Sequence, residues 1–266
     1  MPDRISPTAD EKQETKVIMK NQTVLITGAL TGIGRATAIA FAKEGARLVV
    51  SGRHEDKGQQ LATELHGLGA EAEFIKTDVR REDEVKNLVE KTVKRFGRLD
   101  IAVNNAGTEG NPGPIIEQTA ESYAAIFDTN VLGVLLSLKH EMRVMQTQKA
   151  GSIINVSSTL GHRSVPGASL YAASKHAVEG LTQTAALEGA SFGIRVNSVS
   201  PGPTDTGMLT RFTGTPEKKA VLISGVPLNR MGTPEELAEA ILFMASSKAT
   251  FITGTSLLVD GGKSAR

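Results

Sequence analysis

The chain has 266 residues and a nearly balanced charge, with 30 Lys and Arg against 29 Asp and Glu, and it contains no cysteine. The length is enough to bury the core of one α/β domain. The charge balance argues against nucleic acid or an anionic membrane surface as the main partner. The lack of cysteine excludes disulfides, thiolate catalysis and cysteine-ligated metals, and the five histidines have no metal-ligand spacing, so we expect no metal site.

The N-terminal stretch, residues 1–20, is polar and lacks the apolar core of a signal peptide. It is predicted to be a disordered extension, and the folded part is predicted to span residues 21–266. No run of residues approaches the roughly 20 apolar residues of a membrane span. We therefore expect a soluble cytoplasmic protein.

The first predicted unit is a strand, a glycine-rich turn and a helix. Val24 to Ile26 form a short apolar run with β propensity, three glycines follow within eight residues, and residues 35–43 have a helical pattern. Glycines let a backbone approach phosphates closely, and the N–H groups and dipole of a helix N-terminus favour negative charge. This unit predicts a binding site for a dinucleotide pyrophosphate. The alternative is an ordinary tight turn, because the spacing Gly-x-x-x-Gly-x-Gly differs from the commoner Gly-x-Gly-x-x-Gly.

Strands and helices alternate along the rest of the chain. Further strands are predicted at 46–51, 72–77, 99–104, 151–157, 195–200 and 256–259, and helices at 81–96, about 119–127, 131–146, 170–188 and from Pro234, with another helix around Leu61 and Leu65. Such alternation implies parallel βαβ units with right-handed crossovers. The fold class predicted is therefore α/β, a single doubly wound Rossmann domain with a seven-stranded parallel sheet. The Gly- and Pro-rich segment 108–118 is predicted to be a loop, and segment 201–233, with its four prolines, a mobile lid.

Tyr171 and Lys175 are four residues apart on a predicted helix, so their side chains lie on one face. A phenol with a pKa of ~10 is a poor acid–base catalyst at neutral pH. A nearby lysine ammonium and a nicotinamide cation would both lower that pKa. A lowering of three units corresponds to about 4 kcal/mol. A solvated helix face is the alternative interpretation of the pair.

Taken together, the motifs resemble those of the short-chain dehydrogenase/reductase family over about residues 20–262. The matching motifs are Thr27-Gly28-x-x-x-Gly32-x-Gly34, Asp78-Val79, Asn104-Asn105-Ala106-Gly107, Asn130, Ser158, Tyr171-x-x-x-Lys175 and Pro201-Gly202. Ser158 precedes Tyr171 by thirteen residues, which is the usual interval in the family.

The resemblance implies a role for each of four catalytic residues. Tyr171 would exchange a proton with the substrate oxygen, and Ser158 would hydrogen-bond the same oxygen. Lys175 would lower the pKa of Tyr171 and bond the nicotinamide ribose. Asn130 would hold a water that relays protons from Lys175 to solvent, or would act as a helix cap. Strand alternation places Ser157 and Ser158 on opposite sides, so only one of them can face the pocket.

The resemblance also implies a set of cofactor contacts. Asp78 would bond the adenine amino group with Val79 behind it, the Asn-Asn-Ala-Gly segment would pack near the adenosine ribose or serve only as a structural turn, and Thr204 and Thr206 would reach the nicotinamide carboxamide and the phosphates. The residues expected to contact the cofactor are Gly28, Thr31, Gly32, Ile33, Gly34, Arg53, Asp78, Val79, Asn105, Ala106, Gly107, Tyr171, Lys175, Pro201, Gly202, Thr204 and Thr206.

The choice of dinucleotide is predicted at the end of the second strand. Enzymes that use NAD usually carry an acidic residue there to bond the ribose hydroxyls. Gly52 occupies this place and is expected to leave room for a 2′-phosphate. Arg53 follows it, and its planar donors suit such a phosphate. We therefore expect NADP(H) to be preferred over NAD(H). A solvated arginine is the alternative, and the non-basic Thr31 and the nearby Glu55 weaken the prediction.

The function expected is NADP(H)-dependent interconversion of a ketone or aldehyde and an alcohol, acting on a small molecule. The alternatives are 3-oxoacyl-carrier-protein reduction, sugar oxidation of the glucose 1-dehydrogenase kind, and a non-catalytic dinucleotide sensor. Glu109 and His162 are candidates for lining the substrate pocket, and the commoner alternative for His162 is a surface position. The helix at 131–146 is apolar around nearly its whole circumference, and the helix at 170–188 is rich in alanine, so both are predicted at a subunit interface. The family resemblance suggests a homotetramer.

Overall fold

The computed structural model describes residues 19–265. The extension predicted over residues 1–20 therefore lies outside the described residues except at its last two positions. At these two positions the predicted boundary is wrong. Met19 is only 2% exposed and belongs to the hydrophobic core, and its carbonyl accepts a hydrogen bond of 3.0 Å from the amide of Gln22 in the turn that leads into the first strand.

Seven parallel strands form one sheet within residues 19–265, which confirms the predicted fold class. The strands are β1 (Thr23–Thr27), β2 (Arg47–Gly52), β3 (Ala72–Lys76), β4 (Ile101–Asn104), β5 (Gly151–Val156), β6 (Ile194–Pro201) and β7 (Ser256–Val259). Their order in the sheet is β3-β2-β1-β4-β5-β6-β7. The strand order reverses direction between β1 and β4, and a crevice at the carboxyl ends of the strands is expected at such a point.

Helices cover both faces of this sheet. They are α1 (Gly32–Lys43), α2 (Glu55–Gly67), α3 (Glu82–Phe96), α4 (Ala120–Phe127), α5 (Gly133–Gln148), α6 (Ser169–Gly189), α7 (Gly207–Thr213), α8 (Pro216–Ser224) and α9 (Pro234–Ala245). Successive β1 residues point to opposite faces, so Ile26 packs in the core beneath α1, α2 and α9, while Leu25 packs beneath α3, α5 and α6. None of the helices in the described part of the chain has the length and apolar character needed to cross a membrane.

Two predicted segments differ in detail from the structure. The helices on either side of Asn130 are joined by a π-helical turn, Asp128–Leu132, so the chain passes from α4 to α5 without a break in helical structure. The segment predicted as a lid over 201–233 contains α7 and α8. The hydroxyls of Thr206 and Thr215 cap these two helices by accepting hydrogen bonds from their first turns. The mobility of this segment stays a prediction.

Candidate active site

A cavity of about 880 Å³ lies at the carboxyl ends of the strands. It is bordered by the glycine-rich turn after β1, by residues that follow β2, β3, β4 and β5, and by the segment that carries α7. Of the residues predicted from the sequence to bind cofactor or to act in catalysis, all except Gly34 and Asn130 border this cavity. The structure therefore brings the predicted site residues together from most of the length of the chain.

The glycine-rich turn forms a cradle that a Cβ atom would fill. Gly28 has a φ of 64°, and a Cβ there would lie 2.7 Å from the Cα of Ala106. Gly32 has a φ of 54°, and its Cβ would lie 3.2 Å from Cγ2 of Thr206. The side chain of Thr31, the N-cap of α1, makes no capping hydrogen bond, and the first turn of α1 contains no acidic residue. The turn thus fits the pyrophosphate of a dinucleotide.

Gly34 has a different place from the one predicted. A Cβ at Gly34 would lie 2.4 Å from both the carbonyl oxygen of Gly28 and Nδ2 of Asn105. Its missing side chain lets α1 pack against the turn, so its contribution to the cofactor site is indirect. Asn105 holds the turn from the other side, because its Nδ2 donates to the carbonyl oxygens of Gly28 at 2.9 Å and Thr27 at 3.2 Å.

The adenosine end of the cavity is more basic than the sequence suggested. Arg53 borders the cavity, as do Lys57 and Arg80, which the sequence analysis did not single out. Asp78 is already paired, since Nε of Arg80 donates to its Oδ1 at 2.9 Å and Nη2 to its Oδ2 at 2.5 Å. This hydrogen bonding from Arg80 holds the pKa of Asp78 below its usual value. Any contact of Asp78 with an adenine amino group would have to share its carboxylate with Arg80.

The space next to Gly52 is occupied by protein. A Cβ at this position would lie 2.7 Å from Cγ and Cδ1 of Leu30. The expectation that Gly52 leaves open room for a 2′-phosphate therefore needs correction, because the leucine side chain fills the nearest part of that room.

The catalytic candidates meet at the centre of the cavity. Tyr171 lies in the first turns of α6, and Ser158 follows β5. Burial is the main reason why the pKa of Tyr171 rises to about 12, and the negative charge of Glu109 also raises it. The hydroxyl of Ser158 has the opposite effect and lowers this pKa. The lowering of this pKa by Lys175 together with a bound nicotinamide stays a prediction. Nζ of Lys175 lies 5.7 Å from the centroid of the Tyr171 ring and donates to the carbonyl oxygen of Val156 at 2.9 Å.

Two further details concern Lys175 and the serine pair. Burial lowers the pKa of Lys175 to about 8, opposed by the charge of Glu179. With this pKa the Lys175 side chain is still mostly protonated at neutral pH and keeps its positive charge near the phenol. Both Ser157 and Ser158 border the cavity, so the prediction that only one of them can face it is wrong; β5 ends at Val156, and strand alternation does not extend to the two serines. Among the described residues, the buried hydroxyl of Ser157 has no hydrogen-bond partner, whereas Oγ of Ser158 accepts from the amide of Leu160 at 3.1 Å and lowers the pKa of Tyr171.

Asn130 lies outside the cavity wall and is fully buried. Its Oδ1 accepts from the amide of Thr108 at 2.8 Å, and its Nδ2 donates to the carbonyl oxygen of Thr108 at 2.9 Å and to Oγ of Ser174 at 3.0 Å. The side chain is occupied by protein groups instead of the water that was expected there. A water relay through Asn130 stays a prediction and would have to use its main-chain carbonyl.

A pair of charged residues closes the cavity near the tyrosine. Glu109, only 7% exposed, accepts from Nε of Arg211 in α7 at 2.5 Å. The neighbouring Phe212 places its ring centroid 6.4 Å from that of Tyr171. Sequence reasoning marked Glu109 but could not assign its partner 102 residues away.

His162 does not border the cavity and its side chain is 36% exposed, so of its two predicted positions the structure favours the surface over the pocket. Its Nε2 lies 3.0 Å from Oγ of Ser256 and 3.3 Å from Oε1 of the buried Glu179. These polar partners, which come from α6 and β7, hold the ring away from the substrate end. In residues 19–265 no group of three or more His, Asp or Glu side chains has the arrangement of a metal site.

A doubly wound sheet with this glycine turn and this Ser–Tyr–Lys group defines a dinucleotide-dependent oxidoreductase. The family model described as Enoyl-(Acyl carrier protein) reductase matches residues 28–264. The chain belongs to the short-chain dehydrogenase/reductase family.

Three known proteins illustrate the similarity. An A-factor type gamma-butyrolactone 1′-reductase of Streptomyces virginiae is 41% identical over 247 residues, which cover 92% of this chain and 96% of that relative. A 3-oxoacyl-(acyl-carrier-protein) reductase of Thermotoga maritima is 38% identical over 245 residues, with coverage of 92% and 98%. The crystal structure of NAD⁺-bound xylitol dehydrogenase superposes with a TM-score of 0.89 at 31% identity, with coverage of 92% and 99%.

Proposed function

We propose that this chain catalyses the NADP(H)-dependent reduction of a ketone or aldehyde to an alcohol, and the reverse reaction, with Tyr171 as the acid and base. The observation that carries the proposal is the cavity that brings Ser158, Tyr171 and Lys175 together beside a glycine cradle that fits a dinucleotide pyrophosphate. A pKa of about 12 keeps the phenol protonated at neutral pH, which is the state needed to donate a proton to a carbonyl oxygen.

Each residue has a defined part in this proposal. The bound dinucleotide supplies or accepts the hydride. Tyr171 donates the proton to the substrate oxygen during reduction, and Ser158 donates a second hydrogen bond that holds the same oxygen. Lys175 bonds the nicotinamide ribose with the hydrogens of Nζ that are not used by the Val156 carbonyl. In the reverse direction, the positive charges of Lys175 and of the oxidised nicotinamide lower the pKa of the phenol from its high resting value.

Tyr171→Phe tests the catalytic proposal. The variant keeps the ring, its packing against Phe212 and the glycine cradle, so we expect unchanged NADPH affinity. It removes the proton source, and reduction of a panel of ketones should fall by about 10²-fold to 10⁴-fold, the range for loss of general acid catalysis. Ser158→Ala is the companion variant, with a smaller loss because the phenol remains. A Phe variant that retained a tenth of the rate would contradict the assignment of Tyr171.

The proposed preference for NADP(H) is supported by the cations at the adenosine end, Arg53 and Lys57, and by the absence of an acidic residue at the end of β2. A charge-assisted contact contributes about 1.5–3 kcal/mol, or about ten- to a hundredfold in preference. Gly52→Asp with Arg53→Ala should reverse the preference. Because a Cβ at Gly52 meets Leu30, Leu30→Ala should be included in the same variant. Equal kcat/KM for NADPH and NADH in the unchanged protein would contradict the role of Arg53.

A second candidate is the reduction of a 3-oxoacyl group carried on an acyl-carrier protein, which is the reaction in the name of the Thermotoga maritima relative. A 3-oxoacyl thioester is also a ketone, so the same residues would act on it. Comparison of a free ketone with a 3-oxoacyl-carrier protein as substrate separates the two candidates. A large gain in kcat/KM on the carrier would favour the second.

We also propose that the chain forms a homotetramer through the helices predicted to pair. Leu135 on α5 is 46% exposed and Leu187 on α6 is 82% exposed, although both belong to helices whose opposite faces pack in the core. Apolar side chains at such positions indicate that a further surface covers them. Sedimentation velocity at micromolar concentration tests this, and a monomeric mass would contradict it.

A further inference from the structure

Two cationic side chains face the substrate end of the cavity. Arg163 follows β5 by a short turn and lies five residues beyond Ser158, and Lys263 follows β7. Both border the cavity that also contains Ser158 and Tyr171. They come from the β5–β7 half of the sheet, whereas Arg53 follows β2 in the other half. The two cations are therefore placed on the opposite side of the catalytic tyrosine from the adenosine end.

Neither cation is neutralised by a carboxylate in direct contact. Among residues 19–265, no Asp or Glu oxygen lies within 4.0 Å of the charged nitrogens of Arg163 or Lys263, whereas Arg211 at the same end is paired with Glu109. The carboxylate of Asp260 interacts electrostatically with both Arg163 and Lys263. Its two oxygens accept from the amides of Gly262 at 2.9 Å and Ser264 at 2.7 Å, so they are held in the turn after β7.

Each cation keeps hydrogen-bond donors that the protein does not use. Nη1 of Arg163 donates to the carbonyl oxygen of Lys263 at 3.2 Å, but its Nε is buried with no partner among the described residues. Nζ of Lys263 donates one hydrogen bond, to the carbonyl oxygen of Leu222 at 3.1 Å, and an ammonium has three hydrogens. A buried donor without a partner is costly, and an acceptor from a ligand would remove that cost.

The positive charges of Arg163 and Lys263 also repel one another. Partial burial lowers the pKa of Lys263 and the charge of Arg163 lowers it further, against the opposing effect of Asp260. The Asp260 carboxylate does not compensate through a direct ion pair, because it is held by main-chain amides. An anion bound at this place would contact both positive charges and relieve their repulsion.

We propose that Arg163 and Lys263 form a subsite for a carboxylate on the substrate, so that the preferred substrate is an oxo acid anion. The proposal rests on the proposed function, because it takes the cavity to be the place where the carbonyl group binds. Arg163 provides planar donors suited to a carboxylate, and Lys263 provides a second, flexible charge. The carbonyl group of the same substrate then lies toward Ser158 and Tyr171.

The test is a calorimetric measurement of binding to the full chain saturated with NADP⁺. The probes are 4-oxopentanoate, 5-oxohexanoate and 6-oxoheptanoate, each paired with its neutral amide of nearly equal shape. For at least one chain length, we expect the acid to bind about tenfold or more tightly than the amide, the gain of one charge-assisted contact. Equal affinity of acid and amide at all three lengths would overturn the proposal.

Substitution of each cation tests whether it is responsible for the tighter binding of the acid than of the amide. Lys263→Met should reduce the acid-to-amide affinity ratio about tenfold with little change in amide affinity, and Arg163→Met should do the same. Lys248→Met is the matched control, since Lys248 is exposed and does not border the cavity. If Arg163→Met fails to fold because its bond to the Lys263 carbonyl is lost, Lys263→Met and Lys263→Gln still decide. An unchanged ratio in both lysine variants would overturn the subsite.

Two further arms separate the possible explanations. In the first arm, inorganic phosphate competes with 5-oxohexanoate. Displacement with sub-millimolar affinity in the unchanged chain, and weaker displacement in Lys263→Met, would support an oxyanion site. This result would also indicate that the substrate bears a phosphate group in place of a carboxylate. Turnover of the acids and of the amides with NADPH is measured separately. If neither the acids nor the amides are reduced while the acid-to-amide affinity ratio behaves as expected, the proposed function fails and the anion subsite stands.

Discussion

Replacement of Glu141 by glutamine should stabilise this protein by an amount that increases with pH. Glu141 lies on α5, is only 1% exposed, and accepts a hydrogen bond of 3.0 Å from Nδ2 of Asn104. Burial raises its pKa to about 7 from an ordinary value of 4.5, against the effect of the Asn104 hydrogen bond, which lowers it. Above neutral pH the buried side chain of Glu141 is therefore a carboxylate in the folded state, and it accepts one hydrogen bond from the side-chain amide of Asn104.

The magnitude follows from the shift. A difference of about 2.5 units between pKa values of about 7 and 4.5 corresponds to about 3 kcal/mol, since each unit is about 1.4 kcal/mol. The folded state binds the proton more tightly than the unfolded state, so the contribution of Glu141 to stability is fully present below pH 4.5 and is lost as the pH rises to about 7. Glutamine has no proton to lose. The free energy of unfolding of Glu141→Gln, relative to the unchanged chain, should therefore rise by up to about 3 kcal/mol between pH 4.5 and pH 8.

Urea unfolding followed by circular dichroism at pH 5, 6, 7 and 8 measures this difference. One protein concentration is used throughout, so that subunit dissociation contributes equally to both proteins. The control is Glu90→Gln, a carboxylate on α3 with its side chain 65% exposed, for which the difference should stay within about 0.5 kcal/mol at every pH. A stability difference for Glu141→Gln that did not change from pH 5 to pH 8 would refute the reasoning.

The remaining predictions concern the cavity. Glu109→Gln removes a negative charge that raises the pKa of Tyr171, so the apparent pKa in the pH profile of kcat/KM for alcohol oxidation should fall by about half a unit to one unit. Arg211→Met leaves Glu109 unpaired and should shift the same apparent pKa upward. A pH profile that stayed unchanged in both variants would contradict the coupling of Glu109 to Tyr171. Gly34→Ala should lower dinucleotide affinity at least about tenfold and reduce thermal stability, because its Cβ meets the main chain at 2.4 Å. Gly67→Ala, whose Cβ meets nothing within 4 Å, is the matched control, and an equal loss in both variants would contradict the packing explanation.

The sequence by itself determined the elements of the fold. Strands buried on both sides are rich in apolar residues, the apolar residues of helices repeat every three or four positions, and both patterns lie in contiguous segments of sequence. Predicted elements such as the strand at 256–259 and the helix at 81–96 are present in the structure, where the helix α3 ends at Gly97 with a φ of 80°. The positive φ values of Gly28 and Gly32 are likewise determined by the local sequence, because a tight turn after a strand requires local backbone freedom.

Only the tertiary structure decided what surrounds each site residue. Gly52 was correctly placed at the end of β2, but its contact with Leu30 depends on how the loop after β1 folds over that strand. The high pKa of Tyr171 comes from burial and from Glu109, and neither can be derived from the spacing of Tyr171 and Lys175. The pairing of Glu109 with Arg211 joins residues that are 102 positions apart in the chain.

The same reason explains two placements that the local sequence does not determine. His162 is near Ser158 in sequence, yet its ring turns toward Ser256, 94 residues away, because β6, β7 and α6 present polar partners there. Arg163 and Lys263 are separated by a hundred residues and become neighbours only when β5, β6 and β7 align side by side. A local pattern determines which segments become strands and helices. Electrostatic and packing contacts depend on distances in space that only the assembled sheet defines.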